Sequence, residues 1–138
     1  SISGISASGK GVDSTSSSNE ALDAAIKISK DNEIIVAITG EVDYVTNGSK
    51  VYAIHGGNEM MTKITATGCA LTCLIGAALT SDQDNIVSTA NMLGIYSVAS
   101  EKASKSSKGP ASLRTELIDT IYNLTTDEVE KNIKIELI

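Results

Sequence analysis

Tryptophan and phenylalanine are both absent from these 138 residues, and four tyrosines hold the aromatic share at 3%. Any core must therefore be aliphatic, a composition that suits parallel strands covered by Ala-rich helices. The same absence removes the aromatic platforms on which nucleic-acid bases stack. Basic residues are scarce too. Eleven Lys and Arg stand against seventeen Asp and Glu, for a net charge of -6, and the cations are scattered singly along the chain. That distribution lacks the footprint of a nucleic-acid or membrane-surface protein, leaving small molecules or protein as the expected partners. No apolar run reaches the roughly 18 to 20 residues of a membrane span, and no basic-then-apolar leader pattern opens the sequence. The expectation is a cytoplasmic protein.

Two cysteines and one histidine limit the metal and redox chemistry. Cys69 and Cys73 stand at i and i+4 of an expected helix, sharing a face but poorly placed to bridge, so reduced thiols are expected. His55 does not complete a zinc spacing with them. The length is one domain's worth, with an apolar fraction of 41% that suffices for a core.

The chain turns on Ile64-Thr65-Ala66-Thr67-Gly68-Cys69-Ala70-Leu71, where small, turn-forming residues and a thiol precede an apolar helix. Amides in the first turn of a helix have no intrahelical acceptor, so such an entry forms a pocket for an anion such as phosphate. A thiol there has its thiolate favoured by the positive end of the helix. The competing reading is a buried Cys that simply begins a core helix.

Residues 1–18 form a Ser/Gly-rich loop containing Gly4-Ile5-Ser6-Ala7-Ser8-Gly9-Lys10-Gly11. This falls short of a P-loop, because Gly11 replaces the hydroxyl residue that holds magnesium and no strand precedes Gly4. A helix is expected over Glu20–Lys30, then a strand buried on both faces over Glu33–Thr39. Thr39-Gly40-Glu41 lies at the carboxyl end of that strand, where parallel α/β sheets gather ligands. Tyr44–Thr46 and Lys50–His55 read as a hairpin across Asn47-Gly48, with a short extended piece over Met60–Ile64. Ala70–Leu79, apolar almost all round, reads as a helix in the middle of the domain. Helices are further expected over Asp84–Ser104 and Ser112–Leu124, a helical turn after Thr126, and a half-exposed edge strand over Ile133–Ile138.

Four segments in order then resemble the hydroxyethylthiazole kinase family, a branch of the ribokinase-like superfamily. Lys10-Gly11-Val12-Asp13-Ser14 resembles its KGVD segment and Ile38-Thr39-Gly40-Glu41-Val42-Asp43 its ITGEVD segment. Thr65-Ala66-Thr67-Gly68-Cys69 is similar to its TGAGC loop, and Lys108-Gly109-Pro110-Ala111-Ser112-Leu113 to its GPGSF segment. The resemblance implies the C-terminal portion of a ribokinase-like three-layer α/β/α fold with a mainly parallel sheet and its N-terminal half missing. It also implies ATP- and Mg2+-dependent phosphorylation of 4-methyl-5-(2-hydroxyethyl)thiazole in a homotrimer. Cys69 matches the catalytic cysteine, Thr39 an ATP-binding threonine, Thr67 and Gly68 the phosphate-binding turn, and Ala66 a substrate-contacting glycine. The missing half is expected to carry the metal ligands. Two positions depart from the pattern: Ala66 and Ala111 stand where the family has glycine, so any positive φ at Ala66 is costly. Competing readings are a relative that phosphorylates another small alcohol, a non-catalytic fragment acting in assembly, and a cysteine hydrolase using Cys69 and His55.

Overall fold

The computed structural model describes the backbone of residues 9–10, 13–14 and 18–20 and the whole of residues 21–81 and 84–138. The incomplete P-loop over Gly4–Gly11 and most of the Ser/Gly-rich segment lie outside the described residues. Gly9–Lys10 (β1) and Asp13–Ser14 (β2) form a small antiparallel ladder with Lys10 opposite Asp13. The chain divides into two units, Ser1–Ala53 with Glu136–Ile138, and Ile54–Ile135.

In the first unit, helix α1 (Ser18–Asn32) packs on β3 (Val36–Ile38) and β4 (Val42–Thr46). Ala25 and Ser29 are buried beneath it together with Val45 and Thr46. Ser29 is a polar residue in that core, and its hydroxyl donates to the carbonyls of Ile34, at 2.5 Å, and Thr46, at 3.4 Å. Burial of a hydroxyl is tolerable on those terms because its donor is satisfied. The hairpin from β4 to β5 (Val51–His55) turns through Asn47–Lys50, a longer loop than the two-residue turn expected. Asn47 Oδ1 accepts from the amides of Ser49 and Lys50, and Thr46 Oγ1 accepts from Gly48. Gly48 is required there, since its φ is 85° and a Cβ would fall 2.7 Å from Lys30 Cγ.

The second unit is built on α3 (Asn85–Ser106), whose Ile86, Ala90, Leu93 and Ala99 are almost fully buried. Asp84 caps it, Oδ1 accepting from the Ile86 amide at 3.2 Å. Around α3 pack α2 (Thr67–Ala78), α4 (Pro110–Asn123) and the short α5 (Thr126–Asn132). Leu113 and Leu117 carry the α4 contribution to the core. Gly94 lets Ile133 approach so closely that a Cβ would sit 2.6 Å from Ile133 Cδ1. Lys102 and Glu128 pair across α3 and α5 at 2.5 Å, holding the Glu128 carboxyl below its ordinary value.

The four longer strands run in the order β3-β4-β5-β6, with β6 at Ile135–Leu137. The expected mainly parallel sheet is wrong, because this sheet is antiparallel throughout. Val36 lies opposite Thr46 and Ile38 opposite Tyr44, while the His55 amide donates to Lys134 O and the Ile138 amide to Val51 O. Connections as short as Thr39–Glu41 and Asn47–Lys50 cannot carry a parallel crossover, which needs a dozen or more residues. β3 is also shorter than expected and stands at one end of the strand order, with Ala37 exposed and Ile34 before it 48% exposed. Its apolar run signals a strand but not one covered on both faces. Met60–Ile64 is likewise corrected from an extended piece to a 3-10 turn over Glu59–Lys63.

Candidate active site

The 3-10 turn delivers the chain into the small-residue corner. Asn58 opens it, its Oδ1 accepting from the Met60 amide at 3.0 Å, and the Ile64 amide closes it on Met61 O at 3.1 Å. Ile64 is extended (φ -114°, ψ 122°), and two residues later Ala66 is left-handed at φ 71°, ψ 10°. That reversal sends the chain into α2 at Thr67. The left-handed region costs an L-residue other than glycine about 1–2 kcal/mol. The strain anticipated for an alanine at this position is therefore present.

The first intrahelical bond of α2 runs from the Ala70 amide to Ala66 O at 3.0 Å. The amides of Thr67, Gly68 and Cys69 precede it, and no side chain caps them. Three backbone donors at the positive end of a helix are what an anion such as a phosphoryl group requires. A Cβ placed on Gly68 would meet nothing within 4 Å, so the space in front of the turn is open. The Cys69 thiol is exposed, and so is Cys73, neither being in a disulfide. The reading of Cys69 as a buried start to a core helix does not hold.

One contact from α3 fixes this turn. Tyr96 Oη donates to Thr67 O at 3.1 Å, from a ring that is 8% exposed. Burial pushes the Tyr96 phenol up from its ordinary value, which keeps the proton on the oxygen that donates. Thr67 Oγ1 adds a long bond to Ile64 O at 3.4 Å, bridging the corner internally. Nothing in the sequence marks Tyr96 as part of the site, because a tyrosine on a long apolar helix reads as core.

Beside the corner lies a cleft of about 290 Å³ lined by Lys63, Ile64, Thr65, Pro110, Ala111 and Arg114. The TATGC loop and the GPAS segment, some forty residues apart in sequence, thus border one space. Ser112 shapes the second segment: its Oγ accepts from the amides of Lys108 (2.8 Å) and Gly109 (3.1 Å). Lys63 and Arg114 are exposed cations on this cleft, and neither makes an ion pair among the described residues. Sequence reasoning passed over both, although Lys63 stands directly before the loop that matters most.

Thr39 belongs to the other unit and is exposed just after β3. Its turn is held by Asp43, whose Oδ1 accepts from the Gly40 amide at 2.9 Å. Burial raises the Asp43 carboxyl above its ordinary value, and the Gly40 bond opposes that rise in part. The spacing from Gly40 to Asp43 was a readable signal for such a turn lock. Ala66, Thr67, Gly68 and Cys69 are brought together as one continuous turn.

Residues 1–127 match the model of the "Hydroxyethylthiazole kinase family". A hydroxyethylthiazole kinase of Zea mays is 43% identical over 129 residues, which is 93% of this chain and 46% of the relative. One from Moorella thermoacetica is 33% identical over 138 residues, covering 100% of this chain and 52% of that one. The solved hydroxyethylthiazole kinase protein of Pyrococcus horikoshii OT3 superposes with a TM-score of 0.81 at 28% identity, over 87% of this chain and 47% of that chain. The chain spans about half the length of the curated relatives it matches.

Proposed function

Because the chain belongs to the hydroxyethylthiazole kinase family, we propose that it carries the phosphate-binding turn and proton acceptor of an ATP-dependent kinase. Its substrate is the primary hydroxyl of 4-methyl-5-(2-hydroxyethyl)thiazole, in thiamine biosynthesis or salvage. The observation that carries this reading is the uncapped first turn of α2, with three open amides and an exposed thiol on the third residue.

In the reaction the Cys69 thiolate takes the proton of the substrate hydroxyl. The alcohol oxygen then bonds to the γ-phosphorus of ATP as the bond to the β–γ bridging oxygen breaks, and ADP leaves. The Thr67, Gly68 and Cys69 amides hold the charge on the transferred group, so positioning and electrostatics do most of the work. Thr39, held by the Asp43 lock, contacts ATP, and the Ala66 methyl group lines the acceptor side of the turn. Lys63 and Arg114 add positive charge beside it.

The described residues contain no group of three or more His, Cys, Asp or Glu able to hold a metal ion. The described residues therefore do not fit a magnesium site, and no step above passes through one. A homotrimer and a cytoplasmic location belong to the same reading and rest on the resemblance. Among the described residues no helix is long and apolar enough to cross a membrane.

The test supplies the chain with the half of the Pyrococcus horikoshii protein that it does not span. ADP release is then measured with and without the thiazole alcohol. Release that depends on the alcohol supports the reading; release at the same rate without it removes the assignment.

A further inference from the structure

Helix α2 is apolar on every side, yet of its twelve residues Leu71 alone is buried. Ala70, Cys73 and Ala77 are exposed, Leu74 and Ile75 are half-buried, and Leu79 at its end is 39% exposed. A surface helix of a finished domain carries polar residues on its outer face. Here the outer face has the composition of an interior. Gly76 adds an independent sign, because a Cβ on it would meet nothing within 4 Å. A glycine inside a helix costs about 0.5–1 kcal/mol relative to alanine. Within this chain no neighbour requires it; close approach by another backbone would.

The comparisons say what that neighbour is. The solved relative superposes on 87% of this chain, yet that match accounts for 47% of the relative. A polypeptide of about the same size again therefore accompanies the same fold in the relative. This chain's α2 has the uncovered apolar surface that such a polypeptide would occupy. We propose that the outer face of α2, centred on Cys73, Gly76 and Ala77, is the docking surface for the half of a hydroxyethylthiazole kinase that this chain does not span. The partner presents an aliphatic surface that closes onto the Gly76 backbone. The proposal rests on the family membership stated above and not on the catalytic roles assigned to Cys69 or Thr39.

The two cysteines of the chain are natural reporters, since both are exposed in its absence. The complete chain is co-expressed with the unspanned half of the Pyrococcus horikoshii protein, and alkylation of Cys73 by iodoacetamide is followed by mass spectrometry. A co-purifying complex in which Cys73 reacts at least tenfold more slowly than in the chain alone is the expected result. Ala77→Glu, at an exposed helical position, should abolish co-purification, whereas Ile118→Glu on the exposed face of α4 should leave it intact. Absence of a complex, or a complex with Cys73 still reactive, overturns the proposal. So does protection of Cys73 in the chain alone at high concentration, which would identify a second copy as the occupant. A protected Cys73 without turnover counts against the kinase reading alone, and turnover with a reactive Cys73 counts against this surface alone.

Discussion

Ala66 concentrates the conflict between sequence and backbone at one residue. Its φ of 71° is a region that glycine occupies freely, and an alanine there retains the turn only because its neighbours over-determine it. Ala66→Gly should therefore raise stability by about 1 kcal/mol, read as a shift in the urea midpoint with unchanged slope. An unchanged or lower midpoint would mean that the turn is not strained. Asp43 gives a pH signature at the same scale. Its carboxyl is raised by burial, so the folded state holds that proton more tightly than the unfolded chain does. Stability then falls as pH rises from the ordinary carboxylate range through the raised value, and is flat above it. Asp43→Asn keeps an oxygen for the Gly40 amide while removing the charge. Melting temperatures between pH 4 and 7 should rise with pH more in the variant than in the parent, with the gap between them widest at pH 7. Parallel curves would contradict the assignment.

At the scale of elements, α3 both organises the second unit and props the active turn. Tyr96→Phe removes one hydrogen bond to Thr67 O, a loss of about 1 kcal/mol. In the complemented protein it should also lower turnover, because the carbonyl it anchors belongs to the first residue of the phosphate-binding turn. Loss of stability with full turnover would confine Tyr96 to a packing role. Gly94→Ala drives a methyl group into Ile133 and should cost about 1–3 kcal/mol, seen as a lower melting temperature. Helix positions were legible in the sequence, since α1, α3 and α4 follow from apolar periodicity and caps. The sheet was not, because periodicity over Glu33–Thr39 marks an apolar strand without saying what covers it. Composition alone made that strand look buried and parallel, and the short turns at Thr39–Glu41 and Asn47–Lys50 decide otherwise. α2 failed in the same way: its apolar residues mark a surface that needs covering, and the chain itself covers little of it.

At the scale of the whole molecule, the phosphate-binding turn was legible because small residues, a thiol and a following apolar helix form one short, continuous segment. Tyr96, Lys63 and Arg114 were not, because what ties them to the turn is contact across the fold. The account assigns the turn's amides to phosphate and the Cys69 sulfur to the proton, two roles that a single variant can separate. The direct measurement is kcat and KM for ATP in the complemented protein, with Cys69 and with Cys69→Ala. The backbone amide survives the substitution, so KM for ATP should change less than about threefold while kcat falls at least a hundredfold, within the range of general-base removal. An unchanged kcat, or a kcat and KM that move together, would contradict a proton-accepting Cys69.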